Sequence, residues 1–256
     1  MDPSLTRAQL KTAAVFTMAL NHFAAVFLPE DSLSFALLTG IGYFTAPVMC
    51  FLLAEGILLT RSLKRYLLRL FAFTLVSQLP FDLAFTKGAV LSFVRLNMLF
   101  TLGMSLLLLA VHIRPFSEPV KWGLSLLIII ATIPADWGIL APVYTLMFYY
   151  AFTGYRSPAD GHPPLQALGA GSSRLREVWA LVVLILALTM RDFSPLFLTG
   201  PVLAAVCVLC FYRGADAQKK ERPRTLSKWF FYLFYPLHLL LLGILRLCLS
   251  FSGAVQ

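Results

Sequence analysis

Two histidines lie inside stretches that are otherwise almost wholly apolar: His22 in TMALNHFAAVF and His238 in FYLFYPLHLLLLG. Imidazole is the side chain most ready to exchange a proton near neutral pH. A titratable group in a hydrocarbon-like setting is costly, so it usually faces a bundle interior or a wet cavity and marks a functional site. The plainer reading is a histidine hydrogen-bonded to a neighbouring helix for packing. Asn21 precedes His22 and points about 100° away from it on a helix, so both can face a cavity edge. Pro236 precedes His238 and frees the carbonyl near Tyr232, which would bend that helix.

Other polar residues sit in apolar runs. Glu55 wants a cation, and Arg65 or Arg69 lies at the same expected depth; a structural ion pair and a ligand-binding role stand level. Arg61, Lys64, Arg65 and Arg69 cluster, with Arg65 and Arg69 one turn apart on one helix face. Two guanidinium forks make a good phosphate grip; membrane anchors that snorkel to the interface are the alternative. Gln78, Asp82, Arg95 and Asn97 fall toward one end of two successive runs, where Asp82 and Arg95 can pair. Asp136, in IPADWG, is placed to orient His22 as a carboxylate commonly orients a catalytic imidazole.

These groups must be held by a membrane helix bundle. Of the 256 residues, 59% are hydrophobic and only 13% charged. Mean hydropathy is +0.80. A soluble domain cannot bury that much apolar surface. Apolar runs of about 17 to 25 residues recur, the length that crosses a hydrocarbon core as a helix; no pattern of alternating strands suggests a barrel. The expected fold is all-α, one membrane domain over 1–256. It has about nine spans, at 9–28, 33–60, 66–85, 94–112, 120–134, 138–153, 177–191, 195–212 and 227–250. The second, with Gly40, Gly42 and Pro47, is kinked or tilted. Asn21 and His22 make the first run a poor signal peptide, so it reads as a retained span.

With the N-terminus in the cytoplasm, all of the 21 lysines and arginines fall on the inner side except Lys87, Arg95, Arg191 and Arg246. That satisfies the positive-inside rule, and the expected location is the cytoplasmic (inner) membrane. The net charge of +9 therefore reflects orientation in the bilayer, not nucleic acid. The loop Gly154–Ser173 reads as a flexible connection. The basic loop RGADAQKKERPRTLSK contacts anionic lipid or attracts a polyanionic cytosolic ligand. The CxxC of Cys207 and Cys210 has no turn and no second ligand pair, which argues against redox or metal chemistry. No metalloprotease, P-loop or hydrolase-elbow motif and no cluster at metal-ligand spacing occurs.

Several segments occur together in a recognisable order: LKTAAVFTMALNH, YFTAPVMCFLLAEG with Thr60, YLLRL, SQLPF, LNMLFTLG, ADWG and FYLFYPLH. From Leu10 to His238 the chain resembles the TraX family of polytopic bacterial membrane proteins, named for a conjugation protein that N-acetylates pilin. It is distantly similar to the membrane acyltransferase-three group. One departure is Asn21, where the family usually has aspartate before the histidine. The resemblance implies transfer of an acetyl or short acyl group from acetyl-CoA to an amine or hydroxyl, without a metal. It implies His22 as general base, Arg65 and Arg69 on the coenzyme phosphates, and Glu55, Gln78, Asn97, Asp136 and His238 lining the site.

Acyl transfer needs a base for the acceptor and donors for the tetrahedral oxyanion. His22 suits the first role, and Asn97, Gln78 or a protonated His238 the second. No serine or cysteine stands beside a base in the sequence, so direct transfer is more economical than a covalent intermediate. The acceptor is open among a protein N-terminus, a glycan, a small amine and a lipid. The alternative is a proton-coupled transporter using His22, Glu55, Asp136 and His238 as a relay.

Overall fold

The computed structural model describes residues 5–86, 94–154, 173–189, 194–212 and 225–251, with the backbone alone at 225–228 and 251. Most of the loop Gly154–Ser173 and most of the strongly basic loop lie outside the described residues, as do Lys87 and Arg191. The helices are α1 (Arg7–Phe27), α2 (Leu33–Gly42), α3 (Thr45–Leu59), α4 (Leu63–Phe85), α5 (Met98–Ile113), α6 (Glu118–Ala131), α7 (Leu140–Thr153), α8 (Ser173–Thr189), α9 (Thr199–Val206) and α10 (Thr225–Phe251). A 3-10 turn, Pro195–Leu198, leads into α9, and a π-helical turn, Cys207–Phe211, follows it. Each of the nine apolar segments read from the sequence contains helix among the described residues, though 94–97 and 132–134 are not helical. Among the described residues, four helical stretches are long and apolar enough to cross a membrane: Arg7–Phe27, Leu33–Leu59, Leu63–Phe85 and Trp229–Ser250.

Local chemistry sets the helix ends. Thr6 and Gln9 form a capping box at the start of α1; their side chains satisfy amides that lack intrahelical partners. Asn97 Oδ1 accepts from the amides of Leu99 and Phe100 and starts α5. The expected kink of the second segment falls at Tyr43–Phe44, between α2 and α3. Pro47 lacks the amide that would bond the carbonyl one turn earlier, at Tyr43. α10, by contrast, continues through Pro236.

α3 is the central element, with every residue from Thr45 to Ile57 buried except Met49. A helix apolar on all sides belongs in a core. It packs against α1, α5, α7 and α9, while α4 and α10 form the most extensive helix pair. Gly200 lies against the backbone of Gly40 and Phe44, where a Cβ would overlap main-chain atoms; this close approach lets α9 cross α2. Leu68, Leu75 and Leu79 on α4, Leu126, Leu127 and Ile130 on α6, and Leu237, Leu241 and Ile244 on α10 are exposed. An apolar exterior of this extent is what a bilayer covers. The fold is an all-α membrane helix bundle.

Two short backbone contacts tie the connections together. The amide of Leu5 donates to Phe211 O at 2.8 Å, joining the start of α1 to the end of the α9 segment. Leu96 and Ala135 pair as an isolated parallel bridge, joining the segment before α5 to the α6–α7 turn. The first contact lies at the end carrying most of the described basic residues, called the basic end below; the second lies at the opposite end.

Candidate active site

The buried residues Leu10, Ala14, Met18 and His22 recur every fourth position along α1, so His22 continues the stripe that faces inward. There it meets α10. His22 Nδ1 is 2.8 Å from His238 Nε2. The rings are 5° from parallel with centroids 5.1 Å apart. That separation matches the N···N distance plus the two ring radii, so the imidazoles lie edge to edge in one plane.

His238 Nδ1 is 2.8 Å from the carbonyl oxygen of Phe234, one turn back on α10. A carbonyl only accepts, so His238 carries its proton on Nδ1. In the neutral pair His238 Nε2 is therefore the acceptor, and His22 donates from Nδ1. The unprotonated nitrogen of His22 is Nε2, which has no partner among the described residues. A proton taken there turns the interimidazole bond into a charge-assisted one. Phe85 meets the His22 ring edge-on at 5.3 Å, and Phe234 stacks on His238 at 5.0 Å. His22 is buried and His238 half-buried, within a wall that is mostly aromatic.

Tyr235 stands beside both imidazoles, its ring centroid 6.3 Å from that of His22 and 5.7 Å from that of His238. Its hydroxyl oxygen accepts from the amide of Met98 at 3.2 Å. Asn21 turns elsewhere. Its Nδ2 donates to Thr39 O at 3.4 Å, and its side chain fills the space that a Cβ on Gly42 would need. It packs α1 against α2.

Asp136 does not orient His22 by contact; that position belongs to His238. The carboxylate of Asp136 pairs with Arg95 Nη2 at 3.2 Å, and its carbonyl accepts from Thr101 Oγ1 at 2.6 Å. Arg95 thus pairs with Asp136, whereas the Asp82 carboxylate accepts from Gln78. Burial pushes the Asp136 carboxyl above the ordinary carboxylate range, with the Arg95 guanidinium opposing.

Gln78 and Asn97 join α4 to α5. Gln78 Nε2 donates to Asp82 Oδ1 and to Arg95 O. Asn97 Nδ2 donates to Thr74 O and Gln78 Oε1. Each amide nitrogen has two hydrogens, and all four are used within the protein. Both residues are buried. The arrangement leaves neither a hydrogen for a substrate oxygen, contrary to the oxyanion role their residue types suggested.

At the basic end Glu55 is buried and meets Arg7, not Arg65 or Arg69: Arg7 Nη1 lies 3.3 Å from Oε2. Tyr212 OH is 2.8 Å from each carboxylate oxygen, and Arg7 Nη2 donates to Leu52 O. Arg7 and Tyr212 were not legible as partners because nothing in their spacing joins them to Glu55. Arg61, Lys64, Arg65 and Arg69 are exposed, with Arg69 over the ring of Tyr66 at 5.8 Å.

A third histidine also has partners that the sequence did not reveal. His112 Nε2 is 2.8 Å from Ser125 Oγ, and Tyr150 OH is 2.7 Å from His112 Nδ1. A serine therefore does stand beside an imidazole. Ser125, however, donates to Lys121 O at 2.6 Å, so its oxygen accepts from His112. This chain clamps α5, α6 and α7 and leaves Ser125 without the activation a nucleophile needs.

The family model described as TraX protein matches residues 6–246, a stretch that holds both members of the histidine pair. The chain belongs to the TraX family. A relative named probable fimbrial assembly protein FimC, serogroup H1, from Dichelobacter nodosus, is 31% identical over 241 residues, covering 91% of this chain and 93% of that protein. No solved structure matches the chain.

Proposed function

We propose that this TraX-family membrane protein is an inner-membrane acyltransferase that moves an acetyl or short acyl group from acyl-CoA to an amine or hydroxyl. The observation that carries the reading is the His22–His238 hydrogen bond, with His238 Nδ1 anchored on Phe234 O. It leaves His22 Nε2 as a base whose conjugate acid is shared with a second imidazole. General-base catalysis of this kind contributes about 10²–10⁴-fold. His22 Nε2 removes a proton from the acceptor as it attacks the thioester carbonyl; the carbon–sulfur bond then breaks, and the His22 imidazolium returns the proton to the departing thiolate.

The exposed cations Arg61, Lys64, Arg65 and Arg69 suit a coenzyme that is cytosolic and carries several phosphate charges. The fimbrial-assembly name of the relative favours a surface-fibre subunit or its precursor as acceptor. The transporter reading needs a proton path through all four relay groups. Glu55 is held with Arg7 and Tyr212 at the basic end, and Asp136 with Arg95 at the other. That distribution favours transfer chemistry.

The test is incubation of the purified protein in lipid nanodiscs with radiolabelled acetyl-CoA and envelope proteins containing fimbrial subunits. Labelled acceptor should form with the wild type and not with His22→Ala. Equal labelling by the two proteins would remove His22 as the base. No labelling by the wild type, coupled with solute uptake in proteoliposomes, would favour the transporter.

A further inference from the structure

Acyl transfer at His22 needs a donor for the carbonyl oxygen as it gains charge, and the two amides that suited that role by type, Gln78 and Asn97, have every hydrogen committed. We propose that Tyr235 is the oxyanion donor. The inference rests on the acyltransferase reading and adds a catalytic residue to it.

Three observations carry the assignment. First, Tyr235 is buried beside both imidazoles, its ring centroid 6.3 Å from that of His22 and 5.7 Å from that of His238. Second, its oxygen is already an acceptor, from the Met98 amide at 3.2 Å. A hydroxyl has one hydrogen, and that of Tyr235 has no acceptor among the described residues. A buried donor without a partner is costly, and a ligand oxygen that supplies one is correspondingly favoured. Third, the amide it accepts from is the first of α5, a 16-residue helix. Asn97 Oδ1 takes the next two amides, so the hydroxyl oxygen of Tyr235 completes the cap.

The positive end of a helix therefore sits against the phenol oxygen. Hydrogen bonds in series polarise one another, which makes the phenolic hydrogen a stronger donor. As the acceptor attacks, the carbonyl π pair moves onto oxygen and Tyr235 O–H donates to it. As the carbon–sulfur bond breaks, the carbonyl reforms and the phenol keeps its proton. Tyr235 therefore undergoes no net change, and the only proton that moves is the one carried by His22.

The test compares wild type, Tyr235→Phe and a protein with 3,5-difluorotyrosine at position 235, in nanodiscs with labelled acetyl-CoA and the acceptor fraction. Loss of one oxyanion donor lowers kcat about 10²–10³-fold. That loss, with the KM for acetyl-CoA within twofold, is the expected result for Tyr235→Phe. The fluorinated phenol keeps the ring and the Met98 contact but is a stronger acid, so its kcat should differ from wild type by several-fold at constant Tm. Wild-type kcat in either variant would overturn the assignment. Should Tyr235→Phe fail to fold, the fluorotyrosine comparison alone decides. Absence of transfer by the wild type would instead overturn the acyltransferase reading, and the assignment with it.

Discussion

His22 and His238 are 216 positions apart in the chain, yet their ring nitrogens lie 2.8 Å apart in one plane. A pair acting as one unit predicts non-additive kinetics. His22→Ala should lower kcat at least 10²-fold, in the range of general-base effects. His238→Ala should cost less, because Nε2 of His22 survives without its relay. The double variant should be no slower than His22→Ala. Steady-state rates of the four proteins at saturating acetyl-CoA check this; multiplicative losses would show two independent residues.

Arg7 and Glu55 predict a stability effect rather than a kinetic one. Removing one member of a buried ion pair costs about 3–5 kcal/mol, and the Tyr212 hydrogen bonds to Glu55 reduce that cost for Arg7→Ala. Arg7 retains 17% side-chain exposure, which moderates the figure. Glu55→Ala and Arg7→Ala should each lower Tm, and together they should cost less than the sum of the two. Thermal unfolding of the four proteins in one detergent measures the coupling; strict additivity would mean the pair contributes nothing.

Asn97 is expected to be structural. Asn97→Ala removes an N-cap, worth about 0.5–2 kcal/mol, and strips Thr74 O and Gln78 Oε1 of a donor. The expectation is a clear fall in Tm with the KM for acetyl-CoA unchanged. A rise in KM at unchanged Tm would return Asn97 to a ligand-binding role.

The helices were legible because hydrophobic run length is a direct physical signal, and Pro47 marked where the second run breaks. The two histidines were legible one at a time, since each is improbable in an apolar run. Their contact was not, because no periodicity links residues on the first and last helices. Glu55 was assigned the wrong cation for a related reason: Arg7, Arg65 and Arg69 share the basic end, and depth does not say which side chain turns inward. Asn97 carried its own explanation in LNMLF, an asparagine just before an apolar helix, but its polarity drew a ligand reading first. Ser125 and His112 lie on different helices and are joined only by packing.

Asp136 gives a pH signature. Its folded-state carboxyl lies above the ordinary range because of burial, with Arg95 opposing. A folded value above the unfolded one adds stability that is complete below the unfolded pKa and is lost as pH rises through the folded pKa. Wild-type Tm should therefore fall between the ordinary aspartate range, about 3.9, and the raised folded value. Asp136→Asn should lack that segment of the curve. Parallel Tm profiles across acidic pH would show that the carboxyl does not titrate differently on folding.

The structure gives the role of Asn21 a definite direction. Its amide donates to Thr39 O at 3.4 Å, and its side chain packs against Gly42, while the His22 bond goes to His238. An ionised aspartate in this conformation would set a carboxylate against a carbonyl, with no hydrogen between them. Asn21→Asp should therefore lower stability, by about 1 kcal/mol for the lost bond, without raising turnover. Asn21→Ala should show a similar loss of stability and keep kcat within a few-fold, because no proton in the proposed reaction passes through this side chain. Melting curves and transfer rates on the same preparations separate the two effects. A tenfold faster Asn21→Asp enzyme would mean that the side chain reaches the histidine pair during turnover and that packing α1 against α2 is not its whole task.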